Sequence, residues 1–270
     1  MLGRELVAVA QHLNLDYVGF DRGEGDITNR KSIEHAIIQS EPRLIIHAAA
    51  YTAVDKAERE PDMAYYVNAT GTQNVCLAAQ RRDTPVLYLS TDYVFDGTKS
   101  EPYDEWDAAN PQSVYGKSKY AGEEFVRALC PRHYIVRVSW LCGHGGANFV
   151  ETILKLANER DELKVVNDQH GSPTFCQDLA PELFRLAESG AHGTYHITNQ
   201  GYTTWFGFAQ KIVELVGLKT PVRPITTEEF PRPAPRPKNS CMSPRLYENA
   251  IGIRMPGWEE GLKFYLERRS

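Results

Sequence analysis

The chain has 270 residues, of which 42% are hydrophobic and 24% are charged, and its formal net charge at pH 7 is −5. This length and composition fit one large α/β domain, or a cofactor domain with a smaller partner domain, around a full apolar core. The acidic balance argues against nucleic acid or an anionic membrane as a partner, although backbone N–H groups and single arginines can still bind phosphate locally.

Cysteine usage and hydropathy favour a cytoplasmic protein. The five cysteines are odd in number, are spread along the chain and form no C-x-x-C motif, which predicts free thiols in a reducing cytosol. No apolar run approaches the roughly 20 residues that a membrane helix needs. The first ten residues lack a signal-peptide pattern, and no carboxylate cluster calls for a metal ion.

Predicted helices and strands alternate along residues 1–140. The helices cover 4–13, 31–39, 63–82 and 113–129, and the strands cover Tyr17–Phe20, Leu44–Ala48, Val86–Ser90 and Tyr134–Val138. Continuously apolar strands that alternate with helices indicate a doubly wound, parallel Rossmann-type sheet covered on both faces. We therefore predict an α/β fold with a dinucleotide-binding domain over residues 1–140.

The pattern is looser in residues 141–270. Helices are predicted at 147–159, 178–188 and 204–216, with short strands at Lys164–Val166 and Tyr195–Ile197. The segment Pro221–Pro237 holds six prolines and should run extended over the surface. This half is predicted to be mainly a smaller substrate-binding lobe, with some segments returning to the Rossmann domain.

The most informative motif for chemistry is S-V-Y-G-K-S-K at 113–119, which places Tyr115 and Lys119 one helical turn apart on one face. A free tyrosine has a pKa near 10. A nearby lysine ammonium would lower the pKa of Tyr115 and let it exchange a proton with a carbonyl oxygen as hydride reaches the carbon. A surface Tyr–Lys pair is the alternative interpretation.

A strand-end hydroxyl precedes that helix. The apolar strand L-Y-L-S ends at Ser90, and Thr91 follows at its carboxyl tip, where ligands of open parallel sheets bind. A hydroxyl there can hydrogen-bond a substrate carbonyl while Tyr115 protonates it. Taken alone, Thr91 could be an ordinary turn residue. A Y-x-x-x-K helix that begins 24 residues later favours the interpretation that Thr91 and Tyr115 act together in catalysis.

Small and polar residues near the second predicted apolar strand suggest a cofactor surface. The segment I-I-H-A-A-A-Y-T-A-V-D carries Ala48, Ala49 and Ala50, whose short side chains would let a cofactor lie close to the backbone. A tightly packed strand–helix corner is the alternative. Asn68 lies within an otherwise apolar helix, either as a hydrogen-bonding strut for the Tyr115 helix or as a satisfied core asparagine.

The N-terminal segment also contributes candidate cofactor residues. Asp21 ends a predicted strand 18 residues after Gly3, a spacing at which dinucleotide folds place an acid on the adenosine ribose. Arg22 would instead pair with a 2′-phosphate, so NADH and NADPH both stay open. Asp26 and Ile27 lie where a loop could contact adenine, although Gly25-Asp26 also reads as a simple turn.

Over nearly its whole length the chain resembles the dTDP-4-dehydrorhamnose reductase family of the extended short-chain dehydrogenase/reductase superfamily. The resemblance is carried by the following segments: H-A-A-A-Y-T-A-V-D-K-A-E, N-A-T-G-T-Q-N-V, S-T-D-Y-V-F-D-G, Y-G-K-S-K-Y-A-G-E, N-F-V-E-T-I-L-K-L-A, V-V-N-D-Q-H-G-S-P-T and R-P-A-P-R-P with the later G-I-R-M-P-G-W. It implies NADPH- or NADH-dependent reduction of the 4-keto group of dTDP-4-dehydro-L-rhamnose to dTDP-L-rhamnose, and it allows a homodimer.

The resemblance also implies roles for particular residues. Thr91, Tyr115 and Lys119 would be the catalytic trio, and Tyr51 would join the alanines and the Tyr–Lys pair along the cofactor. The implied substrate-binding residues are Thr52, Asp92, Tyr93, Trp140, Asn148 and Phe149, with the Gln169–Thr174 loop near the sugar nucleotide. In the proline-stiffened R-P-A-P-R-P segment, Arg232 and Arg236 are candidates for the substrate diphosphate, or else solvent-exposed linker arginines.

One departure from the family concerns the start of the sequence. The family opens with a strand and the turn G-x-x-G-x-L-G-R-E-L, whereas this chain opens at M-L-G-R-E-L and keeps only Gly3 of the glycine fingerprint. We therefore expect the first strand and the usual phosphate cradle to be missing, and dinucleotide binding to be impaired. An open slot should then separate Tyr17–Phe20 from Val86–Ser90.

Two other functions remain open at this point. A non-catalytic regulatory subunit resembling the methionine adenosyltransferase β subunit would share the superfamily fold without the chemistry. Another sugar-nucleotide reductase or an epimerase would share Y-x-x-x-K. A dehydratase is disfavoured, because Thr91 is followed by Asp92-Tyr93 and not by an Asp-Glu pair.

Overall fold

A four-stranded parallel sheet lies at the centre of the computed structural model, which describes residues 1–269. In spatial order its strands are Ile45–His47, Val86–Thr91, His133–Val138 and Gly193–His196. All neighbouring pairs run parallel. The carboxyl ends of the strands therefore share one edge of the sheet, which confirms the predicted parallel α/β fold.

Helices cover both faces of this sheet. On strand Val86–Thr91, Leu87 and Leu89 pack into a core with the helices Leu2–His12 and Cys176–Ser189. The alternate side chains, which include Tyr88, point the other way and pack against Thr72–Gln80 and the end of Val114–Leu129. Side chains alternate between the two faces along a strand, so the central strands are buried on both faces of the sheet. The predicted doubly wound Rossmann-type arrangement is confirmed.

The helices follow the predicted positions closely in the first half of the chain. Their bounds in the structure are Leu2–His12, Arg30–Ser40, Val54–Ala57, Pro61–Tyr65, the π-helix Tyr66–Gly71, Thr72–Gln80, the 3₁₀ turn Asp92–Val94, Val114–Leu129, Phe149–Glu159, Cys176–Ser189, Trp205–Leu215, Arg245–Ile251 and Trp258–Glu267. Helix Val114–Leu129 is called the Tyr115 helix below. The last two helices fall in segments for which we made no prediction.

The second half of the chain has an apolar core of its own. Helices Phe149–Glu159, Trp205–Leu215 and Trp258–Glu267 contribute most of its side chains, and Cys142 and Phe175 complete it. Small sheets border it: Leu163–Val166 with Val222–Ile225 in parallel, Leu141–Cys142 with Thr174–Phe175 in parallel, and His170–Gly171 with Thr203–Thr204 antiparallel. The strands predicted at Lys164–Val166 and Tyr195–Ile197 are confirmed to within a residue or two, while a domain boundary at residue 140 stays a prediction.

Two predictions about the sheet are wrong. Tyr17–Phe20 forms no strand, and Tyr17, Val18 and Phe20 are 41–62% exposed. Strand Val86–Thr91 borders no slot, because it is paired on both sides, with Ile45–His47 and with His133–Val138. Val86–Ser90 was predicted to lie beside the position of the family's first strand. In the structure, strand Ile45–His47 pairs with Val86–Thr91 on the side where that slot was expected.

The five cysteines, Cys76, Cys130, Cys142, Cys176 and Cys241, are all buried and free, as predicted. Within residues 1–269, no helix has the length and hydropathy to cross a bilayer.

Candidate active site

Thr91 lies at the carboxyl end of a central strand, as predicted. It is buried, and its side chain caps the following 3₁₀ turn by accepting a hydrogen bond from Tyr93 N at 3.2 Å. Its hydroxyl also donates to Asp92 Oδ1 at 3.0 Å. These two contacts fix the Thr91 hydroxyl at the edge of the sheet where parallel folds bind their ligands.

The Tyr115 helix packs its first turn tightly onto that 3₁₀ turn. Ser113 caps the helix by accepting from Gly116 N at 3.1 Å. A Cβ on Gly116 would lie 2.2 Å from Tyr93 O, so only glycine allows this approach. The approach brings the Tyr115 and Tyr93 rings edge to face, with centroids 5.5 Å apart. Tyr115 therefore lies beside the turn that follows Thr91.

The Tyr115 phenol is neutral in this environment. Burial raises its pKa above the ordinary value of 10, the nearby Asp92 carboxylate adds to that rise, and a hydrogen-bonding interaction with Thr91 opposes it. A tyrosine in this state carries its proton throughout the neutral pH range and can donate it.

Lys119 does not act on Tyr115 in the way the sequence suggested. Its Nζ donates to Leu89 O at 2.6 Å and lies 4.0 Å from the centroid of the Tyr88 ring. Burial lowers the pKa of Lys119 to about 7, and only Glu123 opposes that fall. The expected lowering of the Tyr115 pKa by this ammonium is absent, because the lysine is bound to the strand.

Asn68 forms the predicted hydrogen-bonded link to the Tyr115 helix. It is buried on the π-helix Tyr66–Gly71, a type of helix that occurs often at functional sites. Its Oδ1 accepts from Tyr51 N at 2.7 Å, and its Nδ2 donates to Tyr51 O at 3.1 Å and to Ser118 Oγ at 2.9 Å. Asn68 therefore ties the segment after strand Ile45–His47 to the Tyr115 helix.

The surface after strand Ile45–His47 fits a flat cofactor. Ala48 and Ala49 are exposed there, Ala50 is half-buried, and Thr52 is exposed. Short side chains at the carboxyl end of a parallel strand leave the backbone open to a ligand, which is the property predicted for them. Tyr51 closes one end of this surface, where its hydroxyl donates to Glu60 Oε2 at 2.8 Å.

A narrow cleft brings several predicted substrate residues together. It is lined by Asp92, Tyr93, Trp140, Gln169, Trp205, Arg236, Pro237 and Ser240. Four of these, Asp92, Tyr93, Trp140 and Arg236, were predicted as substrate residues, and Gln169 lies in the loop assigned to the sugar nucleotide. Trp205 and Ser240 were missed, because no local pattern marks a residue that reaches the cleft from a distant part of the chain.

Asp92 is the most unusual group in this cleft. It is 2% exposed, and its Oδ2 has no hydrogen-bond partner within residues 1–269. Burial raises its pKa to about 6, although the nearby Ser240 and Thr91 hydroxyls oppose that rise. A buried oxygen that lacks a partner is costly, and a ligand hydroxyl in the cleft would satisfy it.

Aromatic rings form one wall of the cleft. Trp140 adopts the left-handed backbone region with φ of 47°, and its ring stacks on Trp205 with centroids 3.5 Å apart. Phe149 packs against Trp205 at 4.6 Å. Asn148, in contrast, has structural contacts: its Oδ1 caps helix Phe149–Glu159 by accepting from Glu151 N at 3.2 Å, and its Nδ2 donates to Tyr265 Oη at 3.2 Å.

Both arginines of the proline-rich segment bind Asp55. Arg232 donates from Nε and Nη2 to Asp55 Oδ2 at 3.0 and 2.5 Å, and Arg236 Nη1 donates to Oδ1 at 2.7 Å. Asp55 belongs to the short helix that follows Tyr51. The triad therefore fastens the segment 231–237 to that helix, and Arg236 also lines the cleft.

The N-terminal candidates lie apart from these contacts. Gly3 is exposed in the first turn of helix Leu2–His12. Asp21 and Arg22 are exposed, and Arg22 forms a 3.8 Å ion pair with Asp26. Ile27 packs against Gly71, just past Asn68 on the same helical run. No contact in the structure assigns these residues to a ligand.

The sequence also predicted that the chain has no metal site, and this stays a prediction. Across residues 1–269, no group of three or more His, Cys, Asp or Glu side chains is arranged to hold a metal ion.

The parallel sheet with helices on both faces defines a Rossmann-type fold, which is the fold of solved dTDP-4-dehydrorhamnose reductases. The family model described as the RmlD substrate binding domain matches residues 1–270, and the chain belongs to this family.

Named relatives agree with this assignment. The chain is 41% identical to the spore coat polysaccharide biosynthesis protein SpsK of Bacillus subtilis, over 100% of the chain and 94% of that protein. It is 41% identical to dTDP-4-dehydrorhamnose reductase of Aggregatibacter actinomycetemcomitans, over 97% of the chain and 94% of that protein. The crystal structure of dTDP-4-dehydrorhamnose reductase from Bacillus anthracis in complex with NADP superposes with a TM-score of 0.96, 43% identity and coverage of 98% of this chain and 95% of that chain.

Proposed function

We propose that this protein is an NAD(P)H-dependent reductase that converts dTDP-4-dehydro-L-rhamnose to dTDP-L-rhamnose. The observation that carries the proposal is the placement of Thr91 and a neutral Tyr115 side by side at the carboxyl edge of the sheet, next to the Asp92 cleft. Two relatives with the reductase name, each above 40% identity, support the choice of substrate.

Proton donation is the step that the chain's own groups perform. The nicotinamide, when bound, supplies the hydride that reaches C4 of the sugar. The electron pair of the carbonyl double bond moves onto O4, which takes the proton of Tyr115. The Thr91 hydroxyl, which donates its one proton to Asp92 Oδ1 in the structure, would turn that proton to O4 and hold the oxygen facing the phenol before charge develops. Lys119 then favours the resulting phenolate once its ammonium is free of Leu89 O.

The remaining predicted residues divide between cofactor and substrate. The cofactor would lie along Ala48, Ala49 and Tyr51, with Asn68 holding that segment to the Tyr115 helix. Gly3, Asp21, Arg22, Asp26 and Ile27 are proposed for the distant end of the cofactor. The proposed substrate contacts are Thr52, Asp92, Tyr93, Trp140, Asn148, Phe149, Arg232 and Arg236.

This division follows the predicted domains. Residues 1–140 would bind the dinucleotide, and residues 141–270 would mainly bind the substrate. NADPH is the cofactor to test first, because the Bacillus anthracis relative was solved with NADP. We further propose a cytoplasmic location and a homodimer.

The deciding experiment follows the loss of absorbance at 340 nm when the protein is mixed with NADPH or NADH and dTDP-4-dehydro-L-rhamnose, with the product identified by mass spectrometry. Formation of dTDP-L-rhamnose supports the proposal. Binding of cofactor without any turnover of this substrate would contradict it and would favour a non-catalytic regulator. Interconversion of sugar epimers without net consumption of NADPH would instead assign an epimerase.

A further inference from the structure

Glu123 is a fully buried carboxylate on the Tyr115 helix. It follows Lys119 by four residues and Tyr115 by eight, so the three side chains lie along one face of the helix. Burying a carboxylate is unfavourable unless charged and hydrogen-bonding partners compensate. The partners of Glu123 therefore indicate what its position achieves.

Those partners lie on two central strands. Ser90 Oγ donates to Glu123 Oε1 at 2.5 Å, and Arg137 donates from Nε to Oε1 at 2.9 Å and from Nη2 to Oε2 at 2.8 Å. Ser90 and Arg137 are direct neighbours in the register of the two strands. Ser90 also immediately precedes Thr91. One carboxylate thus joins the Tyr115 helix to the strand that presents Thr91.

Glu123 is ionised at neutral pH. Burial favours its neutral form, but the positive charges of Arg137 and Arg127 and the hydrogen bonds to it hold the pKa at about 2. Arg127 contributes a 2.7 Å bond from Nη2 to Oε2. His196, on the far strand, faces the same cluster and stays neutral, because burial lowers its pKa to about 3.

We propose that Glu123 is a positioning residue for the reduction, which fixes the Tyr115 helix, with its Tyr115 and Lys119, against the strand that presents Thr91. This proposal rests on the proposed function. Glu123 is fully buried, so it acts through Tyr115, Thr91 and Lys119 and never touches the substrate. The groups that face Lys119 are His47 and Tyr88 from two strands and Glu123 from its own helix. Glu123 is the one anion among them.

The test compares Glu123→Gln with Glu124→Gln. Glu124 is the next residue of the helix, is exposed, and pairs with Nη1 of the same Arg127 at 2.6 Å. It therefore controls for removing one carboxylate from this helix. We expect kcat of Glu123→Gln to fall about 10- to 100-fold with KM within about threefold of the unmodified protein. Glu124→Gln should keep both constants within about twofold.

A second measurement does not depend on turnover. The pKa of Lys119 Nζ can be followed by NMR in protein labelled with ¹⁵N-lysine, with Lys119→Met giving the assignment. Without the negative charge of Glu123, the ammonium is less favoured, so its pKa should fall by about one unit or more in Glu123→Gln. Glu124→Gln should leave it unchanged. The high-pH limb of the kcat/KM profile should move to lower pH by the same amount.

A milder variant covers the case in which Glu123→Gln does not fold. Ser90→Ala removes only the link to the strand of Thr91 and keeps the Arg137 ion pair; we expect kcat to fall about three- to tenfold.

A folded Glu123→Gln with unchanged kcat and Lys119 pKa overturns the proposal, as does Ser90→Ala with unchanged kcat. A lower melting temperature with an unshifted Lys119 pKa also overturns it, because that result assigns a purely structural role. Failure of the proposed function itself would be distinct, since the unmodified protein would then be inactive.

Discussion

Lys119 Nζ donates a 2.6 Å hydrogen bond to the main-chain oxygen of Leu89, two residues before Thr91. This bond ties the ammonium to the central strand, and the pKa of the Tyr115 phenol is set by burial, by Thr91 and by the neighbouring Asp92 and Tyr93 instead. Because burial also lowers the pKa of Lys119 to about 7, its protonation changes within the neutral range. The lysine is therefore a titrating group in the site, and its charge should shape the pH dependence of the reaction.

Replacing Lys119 by methionine should weaken cofactor binding and lower turnover. If the ammonium form is the active one, kcat/KM of the unmodified protein falls as the pH rises through about 7, and Lys119→Met should lack that limb. Lys117→Met is the matched control, because Lys117 lies on the same helix and is exposed. A limb at the same pH in Lys119→Met would assign the titration to another group.

Replacing Tyr115 by phenylalanine removes the proton donor and keeps the ring that packs against Tyr93. We expect kcat to fall about 10²- to 10⁴-fold, the usual range for loss of a general acid. The dissociation constant for NADPH, measured by fluorescence titration, should change little. Tyr120→Phe, on the same helix, should keep full activity. Full activity of Tyr115→Phe would end the proposed role of the phenol.

Replacing Asn68 by alanine leaves the main-chain groups of Tyr51 and the Ser118 hydroxyl without their partner. We expect the free energy of unfolding to fall by about 1–3 kcal/mol, together with weaker NADPH binding, because the alanine segment loses its anchor. Gln177→Ala is the control, because Gln177 is also a buried amide but bonds Gly261 O at 3.0 Å, and neither residue is proposed for the cofactor. Equal NADPH affinity in Asn68→Ala and Gln177→Ala would show that Asn68 only stabilises the fold.

Sequence patterns predicted the central strands, the flanking helices, and the positions of Thr91 at a strand end and Tyr115 on a helix, because each depends on local periodicity or on a short motif. Tyr17–Phe20 was predicted as a strand on the same grounds and is not one. A short apolar run becomes a strand only where a neighbour offers backbone hydrogen bonds, and periodicity does not reveal neighbours.

The contacts of the site were harder to predict than its elements. Nothing near Lys119 in the sequence indicates that Leu89 O would bind its ammonium, and nothing near Asp55 indicates that it would bind Arg232 and Arg236. Trp205 reaches the cleft from a helix more than sixty residues beyond Trp140. Such contacts depend on how distant elements pack, whereas spacing rules describe only one element at a time.

Replacing Arg236 by alanine should raise the KM for the sugar nucleotide by about tenfold if its guanidinium exchanges Asp55 for the substrate diphosphate. Arg232→Ala should have a smaller effect, because Arg232 lies on the outer side against Phe230 and is more exposed. Arg245→Ala is the control, as its exposed guanidinium pairs with Asp104 away from the proline-rich segment. An unchanged KM in both Arg236→Ala and Arg232→Ala would assign the two arginines to holding Asp55 alone.

Replacing Asp92 by asparagine should stabilise the protein more at neutral pH than under acid conditions. Burial raises the pKa of Asp92 from 3.8 to about 6. The folded protein therefore binds more protons than the unfolded chain between about pH 4 and 6, and its stability falls as the pH rises through that window. Two pKa units correspond to roughly 3 kcal/mol. Between pH 4 and pH 7.5, urea unfolding should show the free energy of unfolding of Asp92→Asn rising by about this amount relative to the unmodified protein. The comparison isolates Asp92, because the buried His47 and His196, whose pKa values burial lowers to about 3, change the stability of both proteins alike in the opposite direction.

The opposite sign is expected at Asp96, four residues along the chain. The hydrogen bonds from Thr98, Asn110 and Tyr103 lower the pKa of that carboxyl. Its contribution to stability is present above pH 4 and is lost as the pH falls, so Asp96→Asn should cost stability at pH 7.5 and less under acid conditions. If the difference in stability between Asp92→Asn and the unmodified protein were the same at pH 4 and pH 7.5, the pKa of Asp92 would not be raised in the folded protein. If Asp92→Asn also bound the sugar nucleotide as tightly as the unmodified protein, the unpaired Oδ2 would have no role toward a substrate hydroxyl.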